Sequence, residues 1–418
     1  MKINKEIKDI ILKRLFISLG ILFIIRIGTF LPIPGINHTD LAFYIQKHSI
    51  TKSLVSTFSG NDTFVIGLFT LNIFPYINAS ILVQLIISFS PKLAKLQKEV
   101  DLAGRRSINR LTRFITLIWA IIQSLSITIY LKQVLFDWNY VLAFEIIIWL
   151  TTGAMIVLWL SELITDYGLG NGASLLIYTN IISSLPNLWN KLRIENSESF
   201  TIFSGLGFTF LIFITLYGIV LLQEGERIIP LISSKQLNQS SLQDSKMNSN
   251  YIPLRFNQAG VMPIILTTAI LVVPNYINSL GLLPQISFSI NFGFLKLIYW
   301  ITYFGLILIF SSFYATIVLN PKDMSDQLQK MAVTIPGIRP GVQTTFYLKQ
   351  LMKRITLLGA IMLAILVIVP NFIESIFNIT NLNELSTTSL LILAGVVLDL
   401  VREIKNIYYS NIYNNMYQ

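Results

Sequence analysis

The sequence predicts an all-α, polytopic membrane protein with ten transmembrane helices in two inverted five-helix halves. Three observations carry this prediction. Apolar residues make up 53% of the 418, and mean hydropathy is +0.65. Charged residues make up only 12%, against about 25% in a soluble domain. Apolar windows long enough to cross about 30 Å of hydrocarbon recur ten times along the chain.

The first window, Leu15–Leu31, follows the basic stretch Met1–Phe16. It has full span length and no small-residue cleavage site, so it reads as a retained span. The second, Ile73–Phe89, lies in the most informative stretch of the chain, Phe64–Ser88. That stretch begins as a span, breaks at Asn72-Ile73-Phe74-Pro75 and begins again. Proline lacks the N–H that a helix interior needs and pushes its predecessor out of the α region. A broken helix is tolerated at membrane depth only where protein covers the freed backbone or a watery cavity meets it. A polar or moving element is therefore expected at the centre of the protein.

Windows three to five are Phe114–Leu131, Val141–Leu163 and Ala173–Leu188, with Gly168–Gly172 read as a tight turn joining the last two. Windows six to ten are Ile202–Leu222, Ala259–Ile277, Phe294–Leu319, Ile355–Phe372 and Thr388–Val401. Five spans on each side of 192–201 force the halves to be inverted. The expected organisation is a first half 1–191, a hinge 192–201 and a second half 202–418.

Basic residues orient the chain. The N-terminus and the segments after spans two, four, six, eight and ten hold 24 of the 31 Lys and Arg, all but Arg26, Lys47, Lys52, Lys132, Lys191, Arg193 and Lys296. The positive-inside rule then puts both termini on the cytoplasmic or equivalent side. The net charge of +10 is thus mainly a topology signal. Three segments on that side, Pro91–Arg113, 223–257 and 320–354, are longer than connections need. The last contains Pro336-Gly337-Ile338-Arg339-Pro340-Gly341. Those residues cannot be helical; they make a stiff turn that holds Arg339 outward, and preorganised charge suits a protein partner.

Several chemistries are missing. Cys is absent, and the only histidines, His38 and His48, lack a carboxylate cluster, so no metal or other cofactor is expected. There is no phosphate-binding G-x-x-x-x-G-K-[ST] loop and no H-E-x-x-H or G-x-S-x-G. The chain does not read as an enzyme. Charge at membrane depth is sparse: Arg26 and Glu162 lie near span ends and are expected to snorkel, leaving Glu145 early in span four. An ion-coupled carrier keeps such groups near the midplane. A small-solute secondary transporter is therefore the weaker alternative to a passive channel.

A succession of short motifs runs along nearly the whole chain: Arg26–Gly35 (RIGTFLPIPG), Phe58–Gly60 (FSG), Pro75–Ile81 (PYINASI) and Gly104–Arg106 (GRR). Trp159–Ser174 (WLSELITDYGLGNGAS), Asn257–Pro263 (NQAGVMP), Asn320-Pro321, Pro336–Gly341 (PGIRPG) and Thr388–Ile392 (TSLLI) follow. In this order and at these span positions they resemble SecY, the pore subunit of the protein-conducting channel.

The resemblance implies an hourglass pore that also opens sideways into lipid, through which unfolded, signal-bearing polypeptides pass. Residues 57–71 would be the plug, and deleting Asn61–Phe69 is expected to spare helix packing. The chain after Pro75 would form one wall of a lateral gate, with Asn78, Gln123 and Asn257 as polar residues at its seam. The constriction ring carries over to Ile73, Ile77, Ala173, Ile177, Ile265 and Ile392, with Ala173 standing where the family usually has a bulkier aliphatic residue. Branched aliphatics make a dewetted collar that forms no sticky bonds with a passing chain. Arg105, Arg106, Arg110 and Arg339 would dock the motor ATPase SecA or a translating ribosome, with SecE as clamp subunit and SecG as a further candidate. The Ile-, Asn- and Lys-rich, Ala-poor composition fits a plastid-encoded version in a thylakoid-type membrane, with an AT-rich bacterium as the alternative.

Overall fold

The computed structural model describes residues 2–34, 67–90, 102–131, 139–194, 202–233, 251–258, 260, 262–264, 266–267, 292–377 and 387–416. Ten helices are described. They are α1 (Lys2–Phe30), α2 (Phe74–Phe89), α3 (Leu102–Leu131), α4 (Tyr140–Tyr167), α5 (Gly172–Ile194), α6 (Ile202–Glu224), α7 (Phe292–Val318), α8 (Pro321–Lys330), α9 (Val342–Phe377) and α10 (Thr387–Met416). Nine lie on predicted spans, and the short α8 lies in the 320–354 segment. Of span seven, residues 262–264 and 266–267 are helical. The chain forms two compact units, Met1–Glu195 with Val396–Gln418, and Asn196–Gly395.

In the first unit α4 is the central helix. Its buried residues Ile146, Leu150, Ala154, Val157, Ser161 and Ile164 recur every three or four positions, forming one stripe. It packs on α1, α3 and α5, and α3 packs in turn on α2. The opposite faces expose Phe144, Trp149 and Trp159. Apolar patches of this extent mark a surface meant for lipid or a partner.

Between α4 and α5, Gly168–Gly172 forms the expected turn. Thr165 Oγ1 accepts from Gly172 N at 3.0 Å, and Asn171 Oδ1 accepts from Ala173 N at 3.1 Å, capping α5. Ser18 of α1 accepts from Leu169 N at 3.1 Å, tying the first span to this turn.

In the second unit α9 packs against α6, α7 and α8. A cluster of buried residues including Ile219, Ile264, Ile307, Leu363, Val367 and Leu391 fills the space between helices. Helix α9 begins at Val342, well before the predicted span start at Ile355. At 36 residues it is about 54 Å long, more than the roughly 30 Å of hydrocarbon a span crosses. Packing accounts for its early start. Leu348, Leu351 and Met352 pack with Ile229, Leu231, Leu254, Leu328 and Ile335 in a second buried cluster.

That cluster joins parts of 223–257 and 320–354 into one platform, where the sequence suggested separate loops. Strand β1 (Glu226–Pro230) pairs antiparallel with β3 (Tyr251–Arg255), and β2 (Ile232–Ser233) pairs with β4 (Val333–Thr334) of the other segment. Opposite charges face each other at Glu226 and Arg255, a favourable cross-strand pair. Helix α8 is capped by Asn320, whose side chain accepts from Lys322 N; Pro321 sits in its first turn, where a missing N–H costs nothing. Asp323 and Lys330 occupy the ends that suit the helix dipole.

Candidate functional site: an interrupted span and a basic platform

The interruption of the second span is built from short local hydrogen bonds. Leu68 N donates to Leu31 O at 2.9 Å, and Pro32 and Gly67 form an antiparallel bridge, so the end of α1 holds the start of the segment. Thr70 N and Oγ1 both donate to Gly67 O, at 3.1 and 2.6 Å. Asn72 N donates to Phe69 O at 2.9 Å, and the Asn72 side chain accepts from Ile73 N at 2.8 Å.

Asn72 itself is left-handed, with φ of 49°, and only 2% exposed. Asn tolerates this region because its short side chain bonds locally. The sequence located the break correctly but assigned it to Pro75. In the structure Pro75 lies within the first turn of α2, where proline starts helices rather than breaking them.

The segment also fits tightly against its neighbours. A Cβ added to Gly67 would collide with Thr29 O, and one added to Gly153 of α4 with Leu68 O. Phe69 is 6% exposed, and its ring lies against Gly28. Residues 67–69 therefore belong to the packed core of this unit. The expectation that a deletion through Phe69 would spare helix packing fails for that reason. Residues 57–66 of the expected plug lie outside the described residues.

Four of the expected ring residues lie in the first unit. Ile73 and Ile77 are one helical turn apart at the start of α2, 1% and 5% exposed. Ala173 and Ile177 are one turn apart at the start of α5 and half-buried. The spacing of four puts each pair on one helix face. In the second unit Ile392 is half-buried on α10 beside Leu391 of the core, and Ile265 lies outside the described residues.

The expected seam residues differ in their surroundings. Asn78 and Gln123 are half-buried on the packed pair α2 and α3. The buried Gln123 Oε1 has no hydrogen-bond partner among the described residues. Asn257 is 8% exposed, and its amide donates to Gly260 O at 3.0 Å, closing the turn before span seven. Sequence reasoning overlooked Gln258. Both of its amide atoms are buried without partners among the described residues. Its place inside Asn257–Pro263 was the available signal.

Helix α3 begins at Leu102, so Arg106 and Arg110 are exposed on its first turns, one turn apart, rather than in the inner loop expected over Pro91–Arg113. Arg105 lies on the same helix, its side chain outside the described residues. Arg339 is exposed on the 336–341 turn, which is locked from several sides. Ile338 N donates to Ile335 O at 3.1 Å, Thr344 Oγ1 to Arg339 O at 2.8 Å, and Ser325 Oγ of α8 to Gly341 O at 3.0 Å. Gly337 and Gly341 supply the positive φ that the turn requires. Exposed Arg227, Arg255, Ile228 and Tyr251 share the platform. Among the described residues no group of three His, Asp or Glu side chains could hold a metal.

Comparison with known proteins gives a consistent result. The SecY family model matches residues 67–401. The chain is 63% identical over 418 residues to "Protein translocase subunit SecY" of Trieres chinensis, with 98% of each chain covered. It is 39% identical to the protein of the same name from the cyanobacterium Synechocystis, covering 96% of this chain and 93% of the other. Among solved structures it is similar to a SecY channel described for the plug domain that stabilises its closed state. There the TM-score is 0.66 at 16% identity, covering 97% of this chain and 94% of that one. It is also similar to Sec61 from a canine ribosome–channel complex, with a TM-score of 0.63 at 16% identity, covering 97% and 94%.

Proposed function

We infer the working of the parts from one premise: the chain belongs to the SecY family and is the channel subunit of a protein translocase. It conducts unfolded, signal-bearing polypeptides across a membrane and releases hydrophobic segments sideways into lipid. The observation that carries the mechanism is the interrupted second span. A channel for a polypeptide needs a seal that can leave, and the residues before Asn72 are the proposed anchor of that seal. Residues 57–71 form the plug, with the packed residues 67–71 as its fixed anchor, from which Asn72 turns the chain into α2. Ile73, Ile77, Ala173, Ile177, Ile265 and Ile392 form the collar. The five branched isoleucines and the small methyl of Ala173 exclude ions by dewetting and present no hydrogen bonds to a passing backbone.

Asn78, Gln123 and Asn257 line the proposed gate seam. Amides across a helix seam contribute roughly 0.6 kcal/mol each, weak enough for a gate that opens. The platform and the start of α3 dock partners through Arg339 and through Arg105, Arg106 and Arg110. A structural neighbour was solved with a ribosome, which supports a ribosome as one such partner, with SecA as the other, SecE as clamp and SecG as a further subunit. Both termini face that docking side. The algal and cyanobacterial relatives support a thylakoid-type plastid membrane.

Reconstituted with its partners in vesicles, the chain is expected to pass an unfolded secretory polypeptide only while a partner supplies energy. Ion-driven, saturable uptake of a small solute by the chain alone would contradict this reading.

A further inference from the structure

In the second unit a groove of about 670 Å³ opens between α7 and α9. Its walls include Leu308, Ile309 and Phe313 on one helix and Leu357 and Ala360 on the other. The hydroxyls that line it bond within their own helices. Ser312 donates to Ile309 O at 2.9 Å, Thr316 to Phe313 O at 2.6 Å and Thr356 to Met352 O at 2.7 Å. The wall is therefore apolar in effect. Ile309 and Leu357 remain 61% and 51% exposed, so the groove is open to its surroundings.

One end of the groove is different. Lys349 and Lys353, one turn apart and both exposed, line its mouth, and among the described residues no acidic side chain lines it. From Lys349 to Ala360 the helix rises about 16 Å, close to half of the roughly 30 Å hydrocarbon core. The lysines thus stand at headgroup depth when the apolar wall spans one leaflet. Lysine stems lie along apolar surface while the ammonium reaches the interface.

We propose that this groove binds an anionic phospholipid, one acyl chain along the wall and the phosphate between Lys349 and Lys353. The charge decides the occupant: a partner helix would need acidic residues at this mouth, whereas an anionic lipid brings negative charge at that depth. The proposal needs only that α7 and α9 cross a membrane, so it stands or falls apart from polypeptide conduction.

Native mass spectrometry of the full chain in detergent tests it, using phosphatidylglycerol and phosphatidylcholine of identical acyl chains. Phosphatidylglycerol is expected to be retained preferentially. A juxtamembrane lysine is worth roughly fivefold in anionic-lipid affinity, so Lys349→Gln with Lys353→Gln should weaken phosphatidylglycerol by about thirtyfold and leave phosphatidylcholine unchanged. Ser312→Trp, at an exposed position, should fill the groove and weaken both lipids. Millimolar glycerol phosphate, which has no chain, should not compete.

Equal retention of both lipids, no effect of the lysine pair or of Ser312→Trp, or effective competition by glycerol phosphate would each overturn the proposal. The chain has no native Cys, so Thr316→Cys provides a unique cross-linking site. Its capture of a neighbouring polypeptide in native membranes would replace the lipid with a partner helix.

Discussion

Arg113 of α3 grips Glu162 of α4 through two parallel hydrogen bonds, Nε to Oε1 at 2.9 Å and Nη2 to Oε2 at 2.7 Å. The sequence led us to expect Glu162 to snorkel alone from a span end. Instead a residue 49 positions away meets it in the planar, two-toothed geometry that only arginine provides. Arg26 likewise lies 5.1 Å from the Phe30 ring centre rather than reaching out unaccompanied.

The pair is partly open, with side chains 55% and 28% exposed, so its worth is small. A double-mutant cycle with Arg113→Gln and Glu162→Gln, read by thermal unfolding in detergent, is expected to give a coupling of about 0.5–1 kcal/mol. Arg113→Lys should lose much of it, because lysine cannot bond both oxygens. A coupling of zero would reduce the pair to a geometric coincidence.

Asn72 holds the turn into α2 in a conformation that β-branched residues resist. Asn72→Gly keeps the left-handed backbone but strips the acceptor from Ile73 N, costing about 1–2 kcal/mol, whereas Asn72→Val loses the same bond and adds backbone strain of about 1–3 kcal/mol. Thermal unfolding of the two variants side by side measures the difference. Equal stability would mean that the left-handed turn is not what shapes the break.

Gly153 and Leu68 touch through backbone, and the contact leaves no room for a side chain. Gly153→Leu is expected to lift residues 67–69 from α4 while α2 keeps its own packing on α3. If those residues anchor the seal, resting ion conductance in a planar bilayer should rise at least severalfold. Deleting 61–66 should raise it too while sparing the packed residues that follow. Unchanged conductance in both variants would detach this segment from the seal.

The locked turn around Arg339 allows a clean charge test. Arg339→Glu should leave the unfolding temperature unchanged, since the side chain is exposed, yet lower partner-driven translocation by about tenfold, as loss of a preorganised charge contact does. Lys8→Glu, an exposed charge on α1, serves as the control and should change the rate by less than about twofold. Similar losses at both would indicate a general charge effect rather than docking at this turn.

What the sequence revealed follows from which forces are local. The spans were legible because uninterrupted apolar windows such as Val141–Leu163 have few other fates in a chain this poor in charge. The break was legible from Pro75, but its agent was not: the left-handed Asn72 depends on Gly67, Thr70 and the end of α1 closing around it. The platform stayed hidden because β2 and β4 are two residues each and pair across about a hundred positions. The early start of α9 stayed hidden with it, because Leu348 and Met352 become core residues only when Ile229 and Leu254 are folded beside them. Glu162 read as a span-end charge and Arg113 as one more basic residue of an inner segment until α3 and α4 packed together.

The central claim is that a polypeptide passes the collar, and the absence of native Cys makes the path directly readable. Ile77→Cys, Ile177→Cys and, on the outer surface of α4, Trp159→Cys, 59% exposed in the wild type, would each be paired with a single Cys in a polypeptide arrested mid-transit. The measurement is disulfide formation in the reconstituted complex. Strong cross-links at positions 77 and 177, with little at 159, are the expected result. Cross-linking at 159 equal to that at 77 and 177, or none at the two collar positions, would contradict the account.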